Sequence, residues 1–161
     1  MGSCHMTMGQ QEKAQVSALL ELLPDWLQQL IRINSLVATR MGVIMTDFHC
    51  LHVLQQDGPA TPGALAARVG LTAGSATRMV DRLEAAGCVT RATDPKDRRK
   101  VVVAATQEGL ARASSYYAGL TDRTEQDLAD FTEEELRVLL RFVQRSLASA
   151  IAEADRLHAS S

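Results

Sequence analysis

Aromatic residues make up only 4% of this 161-residue chain, which has a single tryptophan, two tyrosines and three phenylalanines. So few rings leave any core to Leu, Val and Ala, packed along helices. Cysteine is equally scarce. Cys4, Cys50 and Cys88 are an odd number with no Cys-x-x-Cys or His-paired spacing, which excludes a disulfide framework and a thiolate metal site. The longest apolar stretches are interrupted within about a dozen residues, too short to cross a bilayer, and no stretch reads as a signal peptide. A cytoplasmic protein with no membrane partner is expected. Nucleotide-binding loops, nucleophile elbows and clustered metal ligands are also missing, so no enzyme, cofactor or metal is expected. His49 and His52 are spaced i, i+3 near Asp47, but two histidines without third and fourth ligands fit a structural role better. Neither charge sign dominates: the net charge of −2 would by itself argue against a polyanionic partner.

What is there sits in residues 61–104. Thr61 can cap a helix whose first position, Pro62, has no N–H to leave unpaired. Leu65, Ala66 and Val69 share one face, and Gly70 stands where a helix ending in a left-handed residue favours glycine. Leu71 plugs the turn and Thr72 can cap again. Ala76, Met79, Val80 and Leu83 then recur at three- and four-residue spacing, with Ser75, Thr77, Arg78 and Arg82 outward. This is a helix-turn-helix pattern, in which a small contact residue and a sharp turn let two helices cross steeply.

After Gly87 the period becomes alternating. Residues 88–91 and 100–104 read as strands, joined across the turn formers Asp94 and Pro95 into a hairpin. Its ends hold Arg91, Lys96, Arg98, Arg99 and Lys100 against Asp94 and Asp97, a surplus of three positive charges. Residues 61–104 as a whole carry eight Lys/Arg and four Asp/Glu, while the remainder carries nine and fifteen. A basic patch on an acidic body is the electrostatic footprint expected of a DNA-binding module.

The run LAARVGLTAGSATRMVDRLEAAGCVTRATDPKDRRKVVVAATQEG resembles the winged helix of the MarR family of bacterial transcription regulators. Asp97-Arg98-Arg99, followed by Thr106-x-x-Gly109, carries the resemblance most specifically. The resemblance implies a mainly α fold with a small β-wing, and long N- and C-terminal dimerisation helices. It implies a homodimeric repressor of a near-palindromic operator on double-stranded DNA, released by a small aromatic or phenolic effector. In the family a wing-tip arginine in the position of Arg99 enters the minor groove, helped by the aspartate at Asp97. The expected DNA contacts are Thr72, Ser75, Thr77, Arg78, Arg82, Lys96, Asp97, Arg98 and Arg99. Family ligands bind between the helical region and the winged helix, where Trp26, Phe48, His49, His52, Tyr116 and Tyr117 are the candidates.

The flanks agree in number and order. Residues 1–7 read as an expression remnant or disordered start, and 8–161 as a single domain, with its winged helix-turn-helix at 46–104 and dimerisation helices at 12–38 and 107–158. The first helix has a broad apolar face (Val16, Leu19, Leu20, Leu23, Leu27, Leu30, Ile33, Val37), with a kink or break expected at Pro24. Residues 39–45 read as a loop, and Thr46 with Asp47 as the opening of a second helix through Gln56. Thr106 is expected to cap a helix running to about residue 130. Thr132 and Glu135 form a capping box before a last helix with Leu136, Leu140, Val143, Leu147, Ile151 and Ala154 in one stripe. Two rivals remain: a winged-helix protein-interaction module, and a thiol-based redox sensor of the same fold using Cys50 or Cys88.

Overall fold

A computed structural model of the chain describes residues 8–93, 97 and 100–160. Six helices and one hairpin follow in the order α1 (Met8–Arg40), α2 (Met45–Asp57), α3 (Pro62–Arg68), α4 (Ala73–Ala85), β1 (Val89–Thr93), β2 (Val101–Ala105), α5 (Gln107–Ala129) and α6 (Glu133–Ala159). They divide into two compact units, one up to Tyr116 and one from Tyr117 onward.

In the first unit every turn of the helix-turn-helix has a local cause. Thr61 Oγ1 accepts the Ala64 N–H at 3.3 Å, and Pro62 occupies the first turn of α3. At the other end Gly70 adopts φ +70°, so that the Leu71 N–H reaches back to the Ala66 carbonyl at 2.7 Å and closes the helix. Thr72 holds the N-cap position of α4, although its hydroxyl pairs with Ser75 Oγ at 3.2 Å rather than with a backbone N–H. The inner stripe of α4 is sealed: Ala76, Met79, Val80 and Leu83 are all buried. They meet Leu65 and Ala66 of α3, Cys50, Leu51 and Leu54 of α2, and Cys88, Val89 and Val103 of the hairpin in one core without an aromatic side chain.

β1 and β2 pair antiparallel, Val89 opposite Ala105 and Arg91 opposite Val103. Ala60 adds a bridge on the other edge of β2, exchanging two backbone hydrogen bonds with Val103 at 3.1 and 2.8 Å. The start of α5 is bolted onto the hairpin. Thr106 Oγ1 donates to the Gly87 carbonyl at 2.7 Å and accepts the Gly109 N–H at 2.9 Å. A Cβ at Gly109 would lie 2.7 Å from Cys88 Cα and 3.0 Å from Cys88 O, so only glycine permits this approach. The spacing Thr106-x-x-Gly109 is therefore a packing device.

The starts and interiors of the first two helices differ in detail from the sequence expectations. Of the kink or break expected at Pro24, the break does not occur: α1 runs unbroken for 33 residues. Proline removes one hydrogen bond, to the Leu20 carbonyl, on a helix with an exposed face. α2 begins at Met45 with Ile44 at the N-cap, so Thr46 and Asp47 stand in its first turn. Asp47 lies in the first turn of α2 but is fully buried, and serves a different purpose described below.

The second unit comprises the rest of α5 and α6. Thr132 and Glu135 make the expected box: Glu135 accepts the Thr132 N–H at 2.8 Å, and Thr132 Oγ1 accepts the Glu135 N–H at 3.3 Å. The stripe on α6 is bare, with Leu140, Val143, Leu147 and Ile151 each more than half exposed. In the first unit, α1 shows the same at Val16, Leu19, Leu20 and Leu27, whereas its C-terminal Val37 and Ala38 are buried.

Gly109→Ala is expected to lower stability by about 1–3 kcal/mol in urea unfolding, because the added methyl meets backbone that cannot swing aside. Gly119→Ala, whose Cβ would find only the tip of Arg123 at 4.0 Å, should be neutral or mildly stabilising.

Candidate nucleic-acid interface

With its inner stripe buried, α4 turns a polar, cationic side to solvent. Thr77 and Arg78 are exposed and Ser75 is half-buried. Arg78 has no ion-pair partner among the described residues, so its charge is available. Asp97 is half-buried at the hairpin tip, and its carboxylate lies 3.8 Å from Lys100 Nζ. The expected contacts Lys96, Arg98 and Arg99 lie outside the described residues, as do Asp94 and Pro95 of the turn.

Two cations are not free in the way the sequence suggests. Arg91 donates to both Asp81 and Glu84, one turn apart on α4, so its charge clamps the wing to α4. Bonding to Asp81 first, and the field of the two carboxylates, raise its pKa above the ordinary arginine value. The only acids on α4 stand three residues apart, which is the signal that could have found this pairing. Arg82, expected to face outward, is turned back: its Nε donates to Asp47 Oδ2 and its Nη2 to Asp47 Oδ1, both at 2.7 Å. Asp47 is the one fully buried charged residue among those described, while the arginine side chain stays 43% exposed. A buried carboxylate is tolerable only when paired in this way. Removing the arginine would strand it, at a typical cost of about 3–5 kcal/mol.

Between the start of α2 and α4 a cavity of about 260 Å³ is lined by Ile44, Thr46, Leu71, Ser75, Arg78 and Arg82. None of the six residues expected to hold an effector lines it. Trp26 is exposed on α1, His49 and His52 are exposed on α2, Phe48 is half-buried, Tyr116 is exposed and Tyr117 half-buried. Burial pushes the Tyr117 hydroxyl above its ordinary pKa. Among the described residues no group of three or more His, Cys, Asp or Glu could hold a metal ion. No described helix is long and apolar enough to cross a membrane.

The thiols are sealed. Cys50 and Cys88 are fully buried. Burial first, then the nearby Asp47 charge, push Cys50 from an ordinary 9.0 up to about 12. Cys88 Sγ sits 3.3 Å from Arg112 Nη2, which also donates to the Ala86 carbonyl.

A capped two-helix turn, a bare cationic helix face and an adjoining two-stranded wing define a winged helix-turn-helix protein. The MarR family sequence profile matches residues 44–101, from the end of the first loop to the second wing strand. The HTH-type transcriptional regulator YcgE of Bacillus subtilis is 36% identical over 120 residues, spanning 74% of this chain and 78% of that protein. The structure of a MarR family protein from Bacillus stearothermophilus superposes with a TM-score of 0.63 at 23% identity, covering 90% of this chain and 99% of that one. Apo MarR from E. coli gives 0.54 at 25% identity over 80% and 96%. The chain belongs to the MarR family: it is a transcriptional regulator with a DNA-binding winged helix, and not an enzyme.

Because only the thiolate is nucleophilic, native Cys50 should resist a thiol-specific reagent at pH 7.5 and react only after unfolding. A variant carrying both Cys4→Ser and Cys88→Ser isolates this behaviour. The folded thiol titrates above the unfolded one, so its contribution to stability is intact below about 9 and is lost as pH climbs toward about 12. Fast labelling of the native protein at Cys50 would contradict this.

Proposed function

We propose that the protein is a homodimeric repressor that binds a near-palindromic operator and is released by a small aromatic or phenolic effector. The observation that carries the DNA reading is α4 itself, sealed along Ala76, Met79, Val80 and Leu83 and bare along Thr77 and Arg78. Such a helix fits a major groove, where Ser75, Thr77 and Arg78 reach base edges and Arg82 offers its remaining N–H groups. Thr72, at the N-cap, suits a phosphate. The wing residues Lys96, Asp97, Arg98 and Arg99 follow the neighbouring minor groove, with Arg99 inserted and Asp97 steadying it.

The bare stripes of α1 and α6 support the dimer. Each exposes a row of large aliphatic side chains far longer than an ordinary soluble surface tolerates, and a second copy is the economical cover. Two reading helices would then address successive major grooves about 34–36 Å apart. Trp26, Phe48, His49, His52, Tyr116 and Tyr117 are the residues proposed to meet the effector, on the strength of the family resemblance. Ligand and DNA would act on each other by favouring different separations of the two reading heads. The buried thiols weigh against peroxide sensing by Cys50 or Cys88.

Leu147→Asp, on the bare stripe, should convert a dimer into a monomer in sedimentation equilibrium while circular dichroism keeps its helical signal. Arg78→Ala and Arg99→Ala should each weaken DNA binding in mobility-shift titrations by about tenfold or more, with thermal stability unchanged. Affinity should fall steeply with salt, the slope in log[salt] being about −0.9 per neutralised phosphate. Salt-insensitive behaviour, with no affinity for any duplex, would instead favour a protein-interaction module.

A further inference from the structure

Asp47 is the one charged side chain buried completely among the described residues. It cannot meet DNA, being inaccessible and of the wrong sign. What it does meet is Arg82, thirty-five positions away, along one edge of the guanidinium: Nε to Oδ2 and Nη2 to Oδ1. A guanidinium has five N–H groups in a rigid plane, and side-on pairing through Nε and Nη2 leaves the end edge free. That edge carries the parallel N–H groups of Nη1 and Nη2, the fork that fits O6 and N7 of guanine. The side chain is 43% exposed and borders the cavity shared with Ser75 and Arg78 on the bare side of α4.

We propose that Asp47 is a specificity-determining positioning residue, which holds Arg82 in one rotamer so that its free edge reads a guanine of each half-site. An unheld arginine on an exposed helix samples many rotamers and serves any phosphate within reach. Held side-on, it meets a base edge without first losing that freedom, and it meets only the base whose acceptors match. Asp47 contributes nothing to general attraction for DNA. Its negative charge opposes that attraction, so its effect lies in the ratio between preferred and unrelated sequences. This inference rests on the DNA reading of α4 proposed above.

The test compares wild type with Asp47→Asn, an isosteric change that removes the charge and one of the two acceptors. Each protein is titrated with the duplex that wild type prefers, with a scrambled duplex, and with versions carrying 7-deazaguanine at successive guanines. Asp47→Asn should bind scrambled DNA as tightly as wild type or more so, yet lose about tenfold in the preferred-to-scrambled ratio. One deaza position should cost wild type about tenfold and the variant little, because N7 is an acceptor only a fixed fork exploits. A merely structural role for Asp47 would lower thermal stability and leave the deaza profile unchanged. Should Asp47→Asn not fold, Arg82→Lys keeps the buried charge pair while losing the fork, and should blunt the same deaza position. If wild type prefers a duplex but Asp47→Asn or Arg82→Lys keeps both the ratio and the deaza profile, this inference fails alone. If wild type prefers no sequence, the DNA reading fails and this inference with it.

Discussion

An amphipathic helix that must hide one side and present the other constrains everything else in the first unit. The hidden side of α4 is four apolar residues at helical spacing, each withdrawn from water. Fully burying a Met, Val or Leu side chain is worth about 1.5–3 kcal/mol relative to exposure, and Ala76 adds less. The surrounding elements are arranged to supply that burial without touching the outer face. α3 crosses behind α4 by virtue of the left-handed Gly70, and the hairpin closes the far end through Cys88, Val89 and Val103. Charge then fixes what packing leaves free. Arg82 ties α4 to α2 through Asp47, and Arg91 ties it to the wing through Asp81 and Glu84.

The scarcity of aromatic residues has two consequences. The core is built from aliphatic and sulfur side chains of modest size, which leaves Cys50 among those most deeply buried and chemically quiet. Much of the chain's aliphatic content is not used in that core at all. It stands on α1 and α6, where long rows of Leu, Val and Ile face solvent. A chain that hides one set of aliphatic residues so thoroughly and displays another is divided between reading and assembly, the division proposed here.

Local rules made much of this architecture legible in the sequence. Thr61-Pro62, Gly70, the 76/79/80/83 stripe and the Thr132–Glu135 box each depend on residues within a few positions, and each forms as the residues imply. What was not legible is long-range. Asp47 reads as a helix-opening acid until Arg82 is seen to fold back onto it. Arg91 reads as a wing cation until α4 places two carboxylates beneath it. Ala60 shows no strand signal, since its bridge exists only because β2 passes alongside. Pro24 lacks an N–H, yet a long helix with an exposed face absorbs that loss without a break. The Thr106-x-x-Gly109 spacing was visible, but its reason, the backbone of Cys88 2.7 Å from where a Cβ would be, required the fold.

The central claim is that α4 and the wing read DNA, and that two copies do so together. Selection of bound duplexes from a random pool tests it most directly. The account predicts enrichment of an inverted repeat whose half-sites are centred about one helical turn apart, roughly 10–10.5 base pairs. Enrichment of a single unrepeated site, or no enrichment from a folded and dimeric protein, would contradict it.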